Sequence, residues 1–289
     1  MLDTVDIGMP RPAVRFPNNA RVCFTVGVAF EGFLKACQYR HRTTPLDKPD
    51  LFSLSYAEYG LKVGVWRLLD IFTEYNVRAS FSVSGLAAHR YPKTLKAISD
   101  RGHEIVGHAW SNDGSANATE DIDVERAEVN RTLDAIVMAT GLRPIGWVSP
   151  GSTGSEARSK ILIEESGILW TGDDASEDLP YVVKLYGRNH AILPRTNFGS
   201  NDLIVYLLAK NTPVDFFDSF KAQFDELYRE GSQGAPKWMD LVIHAHVSGR
   251  PMLAPAIRQC IEYAMGHEGV WQATKGDLAC WFLENEERS

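Results

Sequence analysis

"RVCFTVGVAF", residues 21–30, is the stretch that decides the fold. It is mostly apolar and rich in β-branched residues, a pattern typical of a strand covered on both faces. Similar runs follow in "VRASFSVSG" (77–85) and "HEIVGHAW" (103–110). Strands of this kind lie in parallel sheets, where helices cover both faces. The three stretches therefore predict neighbouring strands of one parallel sheet.

Amphipathic helices separate these strands. "YAEYGLKVGVWRLLDIFTEY" precedes the second strand, "YPKTLKAISDRG" ends at Gly102, and "DVERAEVNRTLDAIVMATG" ends at Gly141. Glycine commonly closes a helix in this way. In the first helix, the apolar side chains at helical spacing are Val63, Trp66, Leu69 and Ile71. With further strands predicted in "PIGWVSPG", "GILWTGDD" and "LVIHAH", the repeated strand–helix units predict an α/β barrel forming a single domain over residues 1–289.

The composition narrows the classes of function. The chain has 289 residues, a formal net charge of −7 and no basic cluster, which argues against a nucleic-acid partner. Its N-terminus lacks the apolar segment of a signal peptide, and no stretch approaches ~18 uninterrupted apolar residues. The four cysteines lack metal-knuckle spacing and are expected to be free thiols. We therefore expect a cytoplasmic protein with no membrane partner.

Polar residues collect where the predicted strands end. In parallel barrels the chemistry lies on the loops that follow the carboxyl ends of the strands. These ends carry Ala29-Phe30-Glu31, the run from His108 to Asn112, the run from Val148 to Gly151, Gly172-Asp173-Asp174, and His244-Ala245-His246. The five ends predict one site at the mouth of the barrel.

Four motifs in order, "GHEIVGHAWS", "GLRPIGWVSPG", "DDASEDLPY" and "HAHVSGRP", carry a family resemblance. The chain resembles the polysaccharide deacetylase superfamily from about Phe16 to Phe282, and within it the branch of allantoinases, cyclic imide hydrolases and peptidoglycan-deacetylase-like proteins. The resemblance implies a distorted (β/α) barrel of the polysaccharide deacetylase type, with about seven strands. It also implies a homodimer or homotetramer.

The departures from the family pattern concern its Asp-His-His metal triad. Gly27 and Ala29 stand where the acidic pair of the first motif falls, and Asn112 replaces the second histidine of the second motif. Only His108 of the triad remains. The third motif also lacks its arginine. Allantoinase-like relatives share an incomplete ligand set and are thought to operate without a metal, so the resemblance implies that no cofactor is required.

A rebuilt metal site stays open as an alternative. A catalytic zinc takes three protein ligands and one water. His108 and His244 are the candidate zinc ligands, with Glu31 or Asp173 completing the set.

The resemblance implies hydrolysis of a C–N bond in a small cyclic amide or imide. Glu31 or Asp173 would orient or deprotonate water, and His108 or His244 would protonate the leaving nitrogen. The backbone of "VSPGSTG" (148–154), with Ser149 and Ser152, would hold the oxyanion. Further substrate-binding candidates are Trp110 as an apolar wall, Asn112, His246 and Arg250.

Two other functions stay open. One is a metal-dependent N-deacetylase of a glycan or amino sugar, and the other is an inactive barrel kept for binding. Three segments receive structural or accessory roles. His103 is expected to hydrogen-bond within the fold, "EDLPY" (177–181) to shape the rim of the site, and the insertion at 39–56 to act as a lid or an interface arm. The identity of the ring substrate does not follow from these patterns.

Overall fold

The computed structural model describes residues 14–40, 42–113 and 119–285. The N-terminal segment up to residue 13, His41 of the predicted insertion and the last four residues of the predicted domain lie outside these ranges.

Nine strands form one sheet in the described ranges. They are β1 (Val22–Phe30), β2 (Ser80–Val83), β3 (Glu104–Gly107), β4 (Gly146–Trp147), β5 (Trp170–Thr171), β6 (Tyr181–Leu185), β7 (Arg188–Ile192), β8 (Lys237–His244) and β9 (Val270–Gln272). Seven of them run parallel in the spatial order β7-β5-β4-β3-β2-β1-β8. β6 pairs antiparallel with β7, and β9 pairs with the start of β1. The predicted barrel of about seven strands is confirmed, with two strands added to it.

The barrel is closed by a loop instead of a strand pair. The two ends of the parallel path are β7 and β8. Between them Asn201 forms an isolated parallel bridge with Val242, whose N–H donates to the carbonyl of Ser200 at 2.9 Å. This irregular closure brings the segment around residue 201 to the mouth of the barrel, and it is the reason for the distortion.

Helices cover the outside of the sheet. They are α1 (Leu51–Tyr59), α2 (Val65–Glu74), α3 (Gly85–Arg90), α4 (Pro92–Asp100), α5 (Ile122–Thr140), α6 (Glu156–Lys160), α7 (Pro213–Ser232), α8 (Ala254–Met265) and α9 (Lys275–Glu284). Gly102 and Gly141 follow α4 and α5 with φ values of +80° and +78°, as predicted for glycines that end a helix. Among the described residues, no helix combines the length and the apolar character needed to span a membrane.

One π turn, Gly60–Gly64, lies between α1 and α2 and changes the phase of the first predicted helix. Leu69 and Ile71 are fully buried as expected. The prediction was wrong for Val63 and Trp66, which are 44% and 37% exposed. A π turn closes its hydrogen bonds over five residues instead of four, so the helical period counted from the sequence goes out of step at Val63, which lies inside the turn. Trp66 lies after the turn in α2, at the edge of the face that buries Val65, Leu68 and Leu69.

Burial is greatest at the centre of the sheet. All nine residues of β1 are buried, because β2 and β8 flank it and helices cover it. Four cysteines are free thiols, three of them buried, as the sequence predicts. The consequence for function is that whatever follows β1 is held in a fixed position by both neighbouring strands.

A first prediction concerns Gly64, which packs against the turn that follows β8. A methyl group at Gly64 would overlap the carbonyl oxygen of Ala245, whereas a methyl group at Gly154 would meet nothing closer than 3.8 Å. We expect Gly64→Ala to lower the free energy of unfolding by about 2 kcal/mol, the usual cost of overpacking. Gly154→Ala is the matched control and should change it by less than about 0.5 kcal/mol. Denaturant unfolding measures both, and equal stabilities would contradict the close approach.

Candidate active site

A cavity of about 400 Å³ opens at the carboxyl ends of the strands. Its polar lining includes Glu31, Gln38, His108, Asn112, Asp113, Arg195, Asn197, Asp240, His244 and Lys275, and its apolar lining includes Trp170 and Trp238. This volume is in the range of small-molecule sites. The mouth predicted from the strand ends is therefore a real cavity, and it contains Glu31, His108, Asn112 and His244 of the candidate residues.

Glu31 directly follows β1 and is the carboxylate around which the imidazoles gather. It is 5% exposed, and its Oε1 lies 3.5 Å from Nε2 of His108. Its Oε2 has no hydrogen-bond partner and lies 3.8 Å from Nδ1 of His246. Burial by itself raises the pKa of Glu31, but the charge of His244 and the nearby His108 and His246 lower it to about 2. Glu31 is therefore ionised at neutral pH, with one oxygen free to accept a hydrogen bond.

His244 ends β8 and is oriented by a carboxylate that the sequence analysis missed. Its Nδ1 lies 2.6 Å from Oδ1 of Asp202, and its backbone N–H donates to Oδ2 at 2.8 Å. Ser248 donates to the same Oδ2 at 2.5 Å. Burial lowers the pKa of His244, but Asp202 and Glu31 overcome this and raise it to about 9. His244 is thus protonated at neutral pH, and Nε2 is the ring nitrogen left for the cavity.

His108 follows β3 and is oriented in the same way as His244, through Nδ1. Its Nδ1 contacts the carbonyl oxygen of Val148, an acceptor, so Nδ1 carries a proton. Nε2 is then the ring nitrogen that faces Glu31. This combination of a free Nε2 and a nearby carboxylate is suited to hold and deprotonate a water molecule.

His246 lies behind the cavity instead of lining it. Its Nε2 is 3.3 Å from Oε1 of Gln38, and the rings of Phe33 and Tyr56 pack edge-on against it. Burial lowers the pKa of His246 to about 4, so it is neutral at pH 7. Its contact with Glu31 makes it a residue that positions the carboxylate, which differs from the predicted contact with substrate.

Asn112 presents an unused amide to the cavity. Its backbone N–H donates to the carbonyl of Gly32 at 2.9 Å, which fixes the chain. Its side-chain Oδ1 and Nδ2 are buried, and neither has a hydrogen-bond partner among the residues that the structure describes. Orphaned buried polar atoms are costly, so a ligand that both donates and accepts is expected at this position.

The floor of the cavity holds an ion pair where the family has an acid. Lys275, the first residue of α9, lies with Nζ 2.7 Å from Oδ2 of Asp240. A side chain at Gly27 would begin 2.9 Å from that ammonium. Thr25 donates to Oδ1 of the same aspartate at 2.8 Å. The space of the missing acid at Gly27 is thus bordered by a positive charge.

This arrangement does not fit the zinc site considered from the sequence. Ala29 has no donor atom. Across the described ranges, no three histidine, cysteine or acidic side chains are grouped as metal ligands. A catalytic zinc takes three ligands from the protein. We therefore assign no chemical step to a metal.

Trp110 and Arg250, two of the predicted substrate-binding residues, contact other groups of the protein. Trp110 does not line the cavity, because the guanidinium of Arg131 stacks on its ring at 3.5 Å. Arg250 donates to the carbonyls of His246 and Tyr56 at 3.0 and 3.2 Å. Both side chains are structural, and the apolar wall assigned to Trp110 is provided by Trp170 and Trp238.

The predicted oxyanion loop uses its own N–H groups. Ser149 donates its N–H to Asp173 at 2.7 Å, and Ser152 donates its N–H to the carbonyl of Ser149 at 3.1 Å. Ser149 Oγ accepts from the indole of Trp147 at 3.1 Å. The lining of the cavity includes neither of the two serines nor Asp173, whose Oδ1 holds this loop. The substrate roles expected for these three residues stay predictions.

Other sequence expectations concern residues away from the cavity. His103 accepts from the N–H of Ala79 at 3.1 Å, and burial lowers its pKa to about 4, in keeping with its predicted structural role. Asp178 of the predicted rim is 72% exposed and lies 3.9 Å from the ammonium of Lys237. Asp202, Arg195 and Lys275 were missed. Asp202 and Arg195 lie in a segment without strand-end or motif signals, and Lys275 begins a helix whose sequence shows no link to the cavity.

Comparison with known proteins agrees with this fold. Residues 54–165 match the family model described as polysaccharide deacetylase. The crystal structure of Puue allantoinase is 27% identical with a TM-score of 0.88, covering 99% of this chain and 98% of that one. A probable polysaccharide deacetylase from Pseudomonas aeruginosa PAO1 is 28% identical with a TM-score of 0.87 and the same coverage. The peptidoglycan deacetylase of Helicobacter pylori is 25% identical over 84% of this chain and 90% of that protein.

The chain is thus similar to polysaccharide deacetylases over most of its length, and residues 54–165 match the family model itself. It is a deacetylase-related hydrolase, and its relatives include both an allantoinase and deacetylases.

A second prediction concerns the acid that raises the pKa of His244. In the folded protein His244 should lose its proton near pH 9, above its usual value of about 6.5. Because Asp202 is the larger of the two raising carboxylates, Asp202→Asn should move the titration midpoint to lower pH. NMR titration of the His244 imidazole measures the midpoint without any substrate.

Asp178→Asn is the matched control, since it removes an exposed carboxylate from the rim. It should leave the midpoint of His244 unchanged. A midpoint near 6.5 in the parental protein, or the same midpoint in Asp202→Asn, would contradict the pairing.

Proposed function

We propose that the protein hydrolyses the C–N bond of a small cyclic amide or imide, such as a hydantoin-like ring. The observation that carries the proposal is Asn112, whose carboxamide lines the cavity with its donor and its acceptor both unpartnered. A carboxamide presents N–H and C=O on one edge, and it pairs with a ligand that has the same two groups side by side.

Ring amides have that edge and open-chain amides do not. Ring closure holds a lactam, imide or hydantoin amide in the cis form, so its N–H and C=O lie on the same side. An N-acetyl group is trans, because the cis form of an ordinary secondary amide costs about 2.5 kcal/mol or more. The paired edge of Asn112 therefore supports a ring amide over an acetylated sugar.

The neighbouring residues divide the chemistry of water attack between them. Glu31 and Nε2 of His108, which are 3.5 Å apart, would together contact one water molecule at the side of the pair that faces the cavity. His108 takes a proton from this water as its oxygen attacks the ring carbonyl, and ionised Glu31 stabilises the imidazolium that forms.

Breakdown of the tetrahedral intermediate needs an acid. When the C–N bond breaks, the electron pair goes to nitrogen, which takes a proton from Nε2 of His244. Its pKa of about 9 keeps His244 protonated at neutral pH. The ring opens to an acid and an amine or amide. Exchange with solvent then removes the proton that His108 gained and returns a proton to His244.

The second candidate is an N-deacetylase of a glycan, favoured by the names of the Pseudomonas and Helicobacter relatives. It would require acetate release from an open-chain amide. The homo-oligomer and the cytoplasmic location expected from the sequence stay proposals. Neither bears on the choice between ring-amide hydrolysis and deacetylation.

A third prediction separates these functions. The protein would be incubated separately with three ring amides, hydantoin, dihydrouracil and succinimide, and with the N-methyl counterpart of each. Oligomers of N-acetylglucosamine would be tested in parallel. Mass spectrometry follows ring opening, and an acetate assay follows deacetylation. We expect ring opening without acetate release, and slower opening of N-methyl rings, which cannot donate to Asn112.

Asn112→Leu provides the matched test, because leucine has a similar shape and no polar atoms. It should lower kcat/KM for N–H rings by about tenfold or more, the worth of one or two buried hydrogen bonds. The N-methyl rings should be affected less. Acetate release without ring opening would overturn the proposal, and inertness toward the whole panel would favour the binding barrel.

A further inference from the structure

Arg195 lines the cavity and is held rigidly there by two carbonyl groups. Its Nε donates to the carbonyl of Gly172 at 3.2 Å, and one terminal nitrogen donates to the carbonyl of Ser149 at 3.1 Å. These carbonyls follow β5 and β4, so two strands fix the plane of the guanidinium. The other terminal nitrogen has no hydrogen-bond partner in the described part of the chain.

The other cations of the lining are neutralised, and Arg195 is not. Lys275 is paired with Asp240 at 2.7 Å, and His244 is paired with Asp202 at 2.6 Å. Within the described ranges no carboxylate lies within 4.0 Å of the Arg195 guanidinium. Burial lowers the pKa of Arg195, while Asp173, Asp240 and Glu31 raise it from larger distances.

An arginine in a confined cavity is costly without an anion, and its planar fork matches a carboxylate. The carbonyls of Gly172 and Ser149 satisfy two of its five N–H groups and supply no charge. The outer edge of the guanidinium is left for a ligand.

We propose that Arg195 binds a carboxylate of the ligand, so that the preferred ring amides either bear a carboxylate substituent or are held by the carboxylate that ring opening creates. This inference extends the proposed function, and it relies on that function for the assignment of a ring amide as the substrate. The site of Arg195 is separate from the amide edge of Asn112, so the two contacts make independent demands on the ligand.

Calorimetric binding of matched ligands tests the proposal without requiring turnover. One pair is hydantoin-5-acetic acid with hydantoin-5-acetamide, which differ only in the charge of the substituent. The other is N-carbamoylglycine, the opened form of hydantoin, with hydantoin itself. The experiment compares the parental protein with Arg195→Met, Arg195→Lys and the control Arg131→Met. Arg131 stacks on Trp110 outside the cavity.

We expect the parental protein to bind the charged member of at least one pair about tenfold more tightly, as a charge-assisted hydrogen bond would give. A preference in the first pair identifies a substituent on the substrate, and a preference confined to the second pair identifies the carboxylate of the opened ring. Arg195→Met should abolish the preference, Arg195→Lys should retain part of it, and Arg131→Met should keep all of it.

Equal affinity within both pairs in the parental protein would overturn the inference, and this result does not depend on whether Arg195→Met folds. Equal weakening of charged and neutral ligands in a folded Arg195→Met protein would also overturn it, since that is the effect of a purely structural arginine. Ring opening is measured on the same samples. Ring opening without charge preference contradicts only this inference, and charge preference without any ring opening contradicts only the proposed function.

Discussion

The site depends on one buried carboxylate placed among imidazoles. Glu31 follows the central strand β1, whose register pairs Phe30 with Val83 of β2 and Ala29 with His244 of β8. An ionised carboxylate in such a position costs several kcal/mol unless charges or hydrogen bonds compensate it. His244 supplies the compensating charge, and Asp202 in turn keeps His244 protonated. The order of the strands thus produces an acid and a base at one mouth.

The floor of the barrel explains how the departures from the family motifs fit together. Loss of the acid at Gly27 leaves room for Lys275, and Asp240 neutralises the ammonium from the neighbouring strand. Loss of the second histidine leaves Asn112, whose amide can read a ligand instead of holding a metal. The changes at Gly27 and Asn112 are consistent with one another, because both remove a ligand of the family's metal triad and leave groups of this chain at its place.

Strand periodicity and the rule for parallel barrels were sufficient to predict the fold and the positions of Glu31, His108 and His244. The same two rules were not sufficient to predict the other polar residues at the cavity. Asp202 comes from the loop that closes the barrel, and Arg195 from the segment after β7. Neither segment has a hydrophobic period, so only the folded chain brings them to the cavity.

The sequence pattern also predicted substrate contacts for residues that lie outside the cavity lining, for a related reason. Trp110 and Arg250 stand in motifs near the mouth, but the groups that satisfy them are distant in sequence. Val63 was misplaced by a π turn that no sequence period reveals. Residue type and spacing predict that a side chain lies at the end of a strand. Tertiary packing decides whether that side chain already has a hydrogen-bond or stacking partner within the protein.

The most direct test of the central claim is ring-amide hydrolysis measured against the metal content of the protein. The protein would be stripped with a chelator, its residual metal determined by mass spectrometry, and its activity followed while zinc is added back. If Glu31, His108 and His244 carry out the hydrolysis, the stripped protein with far less than one metal ion per chain should retain its full rate, and zinc should not increase it. Activity that disappears with the metal and returns in proportion to zinc occupancy would contradict the account.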